Sequence, residues 1–223
     1  MRLVRETGLR MLEGVTRHNL GETQMVLGDL DGALEHLEAA ASLKSETGRR
    51  QSLGYTKRAL GDGSLARGDE AAAAKRYDEA LAIARDANAA DIEAEALVGI
   101  GRVHLSARRV EAAIAALSDA LAIARRIDEQ NALALSAAIL SALPGGDPAA
   151  AAKELAELGD RPWHVARMEA RWWLWKATHD RAHLAESWRL LRHLRDHAPE
   201  ENRVTVIENV PLHRELSAAA KES

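Results

Sequence analysis

Apolar and small residues recur along this chain at fixed intervals. A leucine or isoleucine precedes a glycine at Leu20-Gly21, Leu60-Gly61 and Ile100-Gly101. Each pair is followed by Ala33, Ala73 or Ala113, then by Leu37, Tyr77 or Leu117, then by Ala40, Ala80 or Ala120. Between them stand Gly28, Gly68 and Arg108. Every column steps by 40 residues (20, 60, 100; 33, 73, 113). Self-similarity at a fixed period is the mark of a repeat architecture. The knobs Leu37, Tyr77 and Leu117 come four residues after the alanines, on the same helical face. Each unit therefore predicts two helices joined by a short turn. Gly28-Asp29 and Gly68-Asp69 read as a C-terminal glycine followed by a helix-starting acid. Gly21, Gly61 and Gly101 predict close backbone approach, with the alanines as the small surface opposite.

A fourth unit is weaker. Asn131 to Leu143 predicts one helix, Pro144-Gly145-Gly146 breaks it, and Asp147-Pro148 starts the next. Ala151, Leu155 and Leu158 fill the second-helix columns. A fifth runs from about Pro162 to His197, with its turn at Thr178-His179-Asp180. There Trp172 takes the glycine's place, so this hairpin must open or pack differently. A last short helix is expected over Leu212 to Ala220.

The columns Leu-Gly, Ala-x3-Leu/Tyr and Ala resemble the tetratricopeptide repeat, in its longer variant of roughly 40 residues found in bacterial signalling proteins. HEAT-like repeats have a similar period but lack these columns. The stretch Ile207 to Leu216 resembles the ending of many bacterial tetratricopeptide arrays. The resemblance is strong over residues 13–125 and looser beyond. It implies an all-α, right-handed α-solenoid of about five helix-turn-helix hairpins. Residues 1–130 are expected to hold a truncated first helix and three hairpins, and 131–223 the degenerate repeats and a C-terminal helical cap. Residues 1–21 align with 81–101, so the chain is expected to open in the last turns of a second helix. Its apolar pair Leu3 and Val4 then lacks a neighbour, which suggests a fragment of a longer array or association through this first helix.

Composition narrows the function. Alanine is abundant and phenylalanine absent, which favours helix over sheet. With 47% hydrophobic and 29% charged residues the chain is globular rather than disordered. A formal net charge of -4 argues against nucleic acid as the partner. The lack of cysteine excludes disulfides and thiolate metal sites. No signal peptide is legible in residues 1–8, and the most apolar run, Asn131 to Leu143, is too short to span a bilayer. A cytoplasmic protein is expected, with no membrane partner.

Tetratricopeptide hairpins line the inner wall of their superhelix with first helices. The resemblance places His18, Glu22, Met25, Tyr55, Arg58, Asp62, Leu65, Glu95, Val98, Arg102 and Leu105 on that wall. The mixed set suits a protein or peptide partner lying along a groove. The family's carboxylate clamp is poorly matched, since Ala59 replaces its second asparagine. All five tryptophans fall between Trp163 and Trp188, among arginines. From these Arg171, Trp173, Arg189 and Arg192 are read as a second, C-terminal patch, with Trp173 exposed and the other tryptophans in the core. The pairs His179/His183 and His193/His197 have the i, i+4 spacing of metal ligands but no intervening glutamate, and helix-end placement accounts for His193 and His197. No metal, cofactor or catalytic residue is expected. The reading is an interaction scaffold. A regulator that sequesters a protease or transcription factor is the alternative, and a histidine-cluster metal enzyme the most distant one.

Overall fold

Each helix boundary can be traced to local chemistry. Gly28 and Gly68 both adopt φ +81°, a left-handed conformation that ends the preceding helix. Asp29 and Asp69 then cap the next helices, accepting from the amides of Gly32 and Ala72 at 3.1 and 2.9 Å. Asp147 caps the amide of Ala150 at 3.0 Å, with Pro148 at the first helical position.

In the computed structural model the backbone of residues 2–222 and the side chains of residues 8–222 are described. Among these residues there are twelve α-helices and no strand. They are α1 (Arg2–Leu27), α2 (Leu30–Glu46), α3 (Arg50–Ala66), α4 (Glu70–Ala87), α5 (Ala90–Ser106), α6 (Val110–Ile127), α7 (Gln130–Ser141), α8 (Pro148–Leu158), α9 (His164–Thr178), α10 (Arg181–His197), α11 (Arg203–Glu208) and α12 (Pro211–Glu222). A 3-10 turn over Glu200–Asn202 precedes α11.

The pairs α1/α2, α3/α4 and α5/α6 are antiparallel hairpins, stacked in chain order through α2 on α3, α4 on α5 and α6 on α7. First helices also touch one another along the stack, whereas no pair of second helices makes a comparable contact. The stack is therefore concave on its first-helix side. The fold is an α-solenoid of tetratricopeptide-like hairpins. Its small-residue packing is direct. A Cβ on Gly21 would lie 2.6 Å from Leu37 Cγ, one on Gly61 2.5 Å from the Tyr77 ring, and one on Gly101 2.6 Å from Leu117 Cγ. Gly99 makes a second such contact with Tyr77, which α4 thus inserts between two glycines of different hairpins.

Two features depart from the periodic reading. The sequence predicts that the chain opens in the last turns of a second helix, but α1 runs unbroken for 26 residues against 17 in α3 and α5. Leu3 and Val4 lie outside the residues whose side chains are described. The second departure is α9. Whereas α3 and α5 lean mainly on the preceding second helix, α9 lies mainly on α7 and touches α8 lightly. The last hairpin thus turns in toward the concave side. Beyond it, α11 reaches the first turn of the chain: Thr205 Oγ1 donates to Leu27 O at 2.7 Å, and Asn209 Nδ2 to Gly28 O at 2.9 Å. Leu27 packs against the C-terminal core of Met168, Trp172, Leu191, Val206 and Leu216. The stack curls until its end meets its beginning.

Candidate partner-binding surfaces

The inner wall is organised around two arginines. Arg58 on α3 places Nη2 2.7 Å from Glu22 on α1 and Nε 3.0 Å from Glu95 on α5, and also pairs with Asp62. Asp62 accepts from the Tyr77 hydroxyl at 2.6 Å and lies 3.6 Å from Arg102 Nη1. Arg102 in turn grips Glu169 of α9, with Nε to Oε1 at 3.0 Å and a second nitrogen on Oε2. Trp173 Nε1 donates to the same carboxylate at 3.3 Å. One ladder of charge therefore runs from α1 to α9. Burial works against the charge of Arg58, but Glu95, Asp62 and Glu22 outweigh it and hold the guanidinium protonated. Burial pushes the Glu95 carboxyl up despite Arg58, with nearby carboxylates adding to the effect. The Tyr77 hydroxyl is raised well above its usual value by burial and by Asp62.

A second chain of polar groups branches from Glu22. His18 Nε2 lies 3.5 Å from Glu22, His18 Nδ1 3.2 Å from Thr56 Oγ1, and Lys44 Nζ donates to Thr56 Oγ1 at 2.7 Å. Burial lowers His18 to about 4 and Lys44 to about 8, so the imidazole is neutral near pH 7.

Of the inner-wall residues read from the sequence, the structure brings together Glu22, Arg58, Asp62, Glu95 and Arg102, and links His18 to them. Tyr55 stands apart, its hydroxyl on Asp91. Val98 is buried in the hairpin core, Leu65 and Leu105 pack against core clusters, and Met25 is half-buried near Gly63. Sequence reasoning missed Glu169, because α9 lies off the repeat register. It also missed Lys44, although a signal existed: its column holds Ala84 and Ala124, both fully buried.

The C-terminal patch is more divided. Arg189 and Arg192 are exposed, Arg189 bound to Glu186 through two contacts of 2.7 Å. Arg171 is half-buried with Nη1 3.2 Å from His183 Nδ1. Trp173 is not the exposed tryptophan. It is wedged between the two largest core clusters, with Lys176 Nζ 4.9 Å from its ring centre, because α9 is sandwiched rather than peripheral. Trp163, just before α9, is the exposed one, at 63%. His179 sits in the α9–α10 turn at φ 56°, and the His193 and His197 rings lie 4.0 Å apart on the last turns of α10. Among the described residues no group of three or more His, Cys, Asp or Glu is placed to hold a metal ion. No described helix is long and apolar enough to cross a membrane.

Among the described residues α1 leaves an apolar stripe largely exposed: Leu9, Leu12, Val15 and Leu20 are 61, 63, 38 and 42% exposed.

No family model matches the chain, and no curated protein matches it. Among solved structures it is similar to a Podosopora anserina protein of nearly identical TPR-like repeats, at 16% identity and a TM-score of 0.46, covering 93% of this chain and 88% of that one. A single-substitution variant of that protein gives 17% identity and a TM-score of 0.48, over 93% and 96% of the two chains.

Proposed function

We propose that this chain is an interaction scaffold that holds a protein or peptide segment, serving as a cytoplasmic module of a bacterial signalling protein. The observation that supports this reading is the pre-set inner wall. Its four carboxylates, Glu22, Asp62, Glu95 and Glu169, face only two guanidiniums, Arg58 and Arg102. Each charge is held in place by its neighbours, so a segment with basic residues would meet ordered acceptors without first ordering them. The chain has no cysteine, which makes a clean test possible. A thiol cross-linker on Met25→Cys, half-buried on the first-helix side, should capture a partner from source-cell extract. The same reagent on Glu35→Cys, on the outer side of α2, should not. Equal capture from both faces, or none from the wall, would defeat the proposal.

The exposed stripe of α1 favours a second association. Residues 9, 12 and 20 are the repeat equivalents of Ala89, which caps α5, and of Ile92 and Ile100 on α5. Ala89 and Ile92 are 5 and 0% exposed there, on the side where α5 meets α4. α10, the last second helix, is by contrast covered by α11 and α12. Two copies are therefore expected to pair α1 to α1 about a two-fold axis rather than head to tail. Sedimentation equilibrium should show a dimer that Leu12→Glu converts to monomer. A monomer at every concentration of the unaltered chain would rule this pairing out.

A further inference from the structure

We propose that the outer face of the last hairpin is a docking site for an acidic protein segment, with one partner carboxylate entering a pocket at Arg171 and Trp163 serving as its apolar anchor. This rests on the scaffold reading and names the chemistry of a partner at a second surface.

Three observations carry it. The first is charge. Residues 161–197 hold eight Lys or Arg against four Asp or Glu, a net of +4 in a chain whose total is -4. One of the four acids, Glu169, is turned inward on Arg102 and does not oppose the outer face.

The second is a pocket of about 140 Å³ where α7, α8, α9 and α10 meet. Leu155, Leu158, Pro162 and Leu190 supply its apolar walls. Its charged groups are Arg167, Arg171, Asp160 and Glu186. Arg167 is neutralised by Asp160 at 2.5 Å, and Glu186 by Arg189. Arg171 alone of the four has no oppositely charged group within ion-pair distance among the described residues. Its contact is His183, whose imidazole is kept neutral by burial and by Arg171 itself. A guanidinium above apolar walls, with Glu186 near enough to interact but beyond ion-pair distance, is suited to a carboxylate on a short methylene stem, which it can grip through two parallel hydrogen bonds.

The third is Trp163. It follows Pro162 of the pocket wall, is 63% exposed, and has its backbone amide tied to Asn131 Oδ1 at 2.8 Å. Trp163 thus offers an exposed aromatic side chain on a fixed backbone next to the pocket wall, and tryptophan is among the residues favoured as interface hot spots.

The test uses the full chain and a fluorescent peptide of about 15 residues made of Glu-Glu-Leu repeats, long enough as a helix to span the hairpin at about 1.5 Å per residue. Fluorescence anisotropy at about 0.15 M salt reads binding, with single-stranded and duplex DNA of matched charge in parallel. The peptide is expected to bind. Arg171→Gln and Trp163→Ala should each weaken it about tenfold, Arg171→Lys less, and Arg126→Gln, on the exposed side of α6, not at all. Circular dichroism confirms that each variant is folded, and Arg171→Lys keeps the test decisive if Arg171→Gln is not. No peptide binding, equal affinity for the unaltered chain and both Arg171 variants, or DNA bound more tightly than peptide through the same residues would each overturn the proposal. A partner cross-linked at Met25 whose capture ignores Arg171 would overturn this inference and leave the scaffold reading standing.

Discussion

Lys44 is an ammonium in an alanine's place. It lies 4% exposed in the column of Ala84 and Ala124, and its nitrogen has one hydrogen-bonding side chain, Thr56. Burial depresses its folded pKa to about 8 from 10.5. The unfolded chain then holds this proton more tightly between those values, so the contribution of Lys44 to stability rises with pH from about 8 to 10.5. At pH 7 the lysine is charged in both states and its full cost is present. Lys44→Met should raise unfolding stability at pH 7 by about 1 kcal/mol and abolish the alkaline rise. Urea titrations at several pH values read both. His18 acts at the acid end. Its folded pKa of about 4 lies below the ordinary 6.5, so its contribution is complete above 6.5 and is lost as pH falls toward 4. A loss of about 1–2 kcal/mol is expected after solvent screening, and His18→Gln should flatten it. The same titration with an unchanged slope would refute the burial of the imidazole.

Between helices, the unit of construction is a glycine facing a knob. Helix propensity alone would favour alanine over glycine at every helical position by about 0.5–1 kcal/mol. Gly8 sits in α1 with no described atom within 4 Å of where a Cβ would stand, so Gly8→Ala should stabilise by that amount. Gly61→Ala would drive a methyl into the Tyr77 ring and should cost about 1–3 kcal/mol, and Gly61→Leu more. Opposite signs in thermal melts would confirm that packing, not propensity, chose these glycines; equal signs would refute it. This layer was legible in the sequence, because Gly21, Gly61 and Gly101 keep constant spacing from their knobs. So were the caps at Asp29, Asp69 and Asp147, whose chemistry is local. Gly99 was not, since it serves the neighbouring hairpin's Tyr77 and has no counterpart glycine in its column. Nor was the orientation of α9. Periodicity reports which face of a helix is apolar, and α9 is apolar on more than one, with Ala170 and Leu174 in one core and Met168 and Trp172 in another. The wall residues Glu22, Arg58 and Arg102 were legible as facing inward, but their shared partner Glu169 depends on that orientation and was not.

At the scale of the whole chain, curvature brings sequence-distant ends together, and repeat spacing holds no information about such a closure. Its energy can nevertheless be isolated, because the repeat supplies its own control. Gly28 and Gly68 occupy the same turn of successive hairpins with the same φ of +81°. A side chain at either position carries the same left-handed strain, about 1–2 kcal/mol. Around Gly68 there is open space, whereas the carbonyl of Thr205 fills the place a Cβ on Gly28 would take. Gly68→Ala should therefore cost the backbone strain alone. Gly28→Ala should cost about 1–3 kcal/mol more, from the steric conflict and from weakening the bonds that Thr205 and Asn209 make to residues 27 and 28. The difference between the two variants in urea unfolding is then the contribution of closure, free of the strain they share. Hydrogen exchange should locate it, with faster exchange around residues 27–29 and 205–209 in Gly28→Ala and none in Gly68→Ala. Equal losses in the two variants would mean that the meeting of first turn and last helices contributes nothing, and that the curl is fixed by the hairpin stack and the Arg102–Glu169 pair.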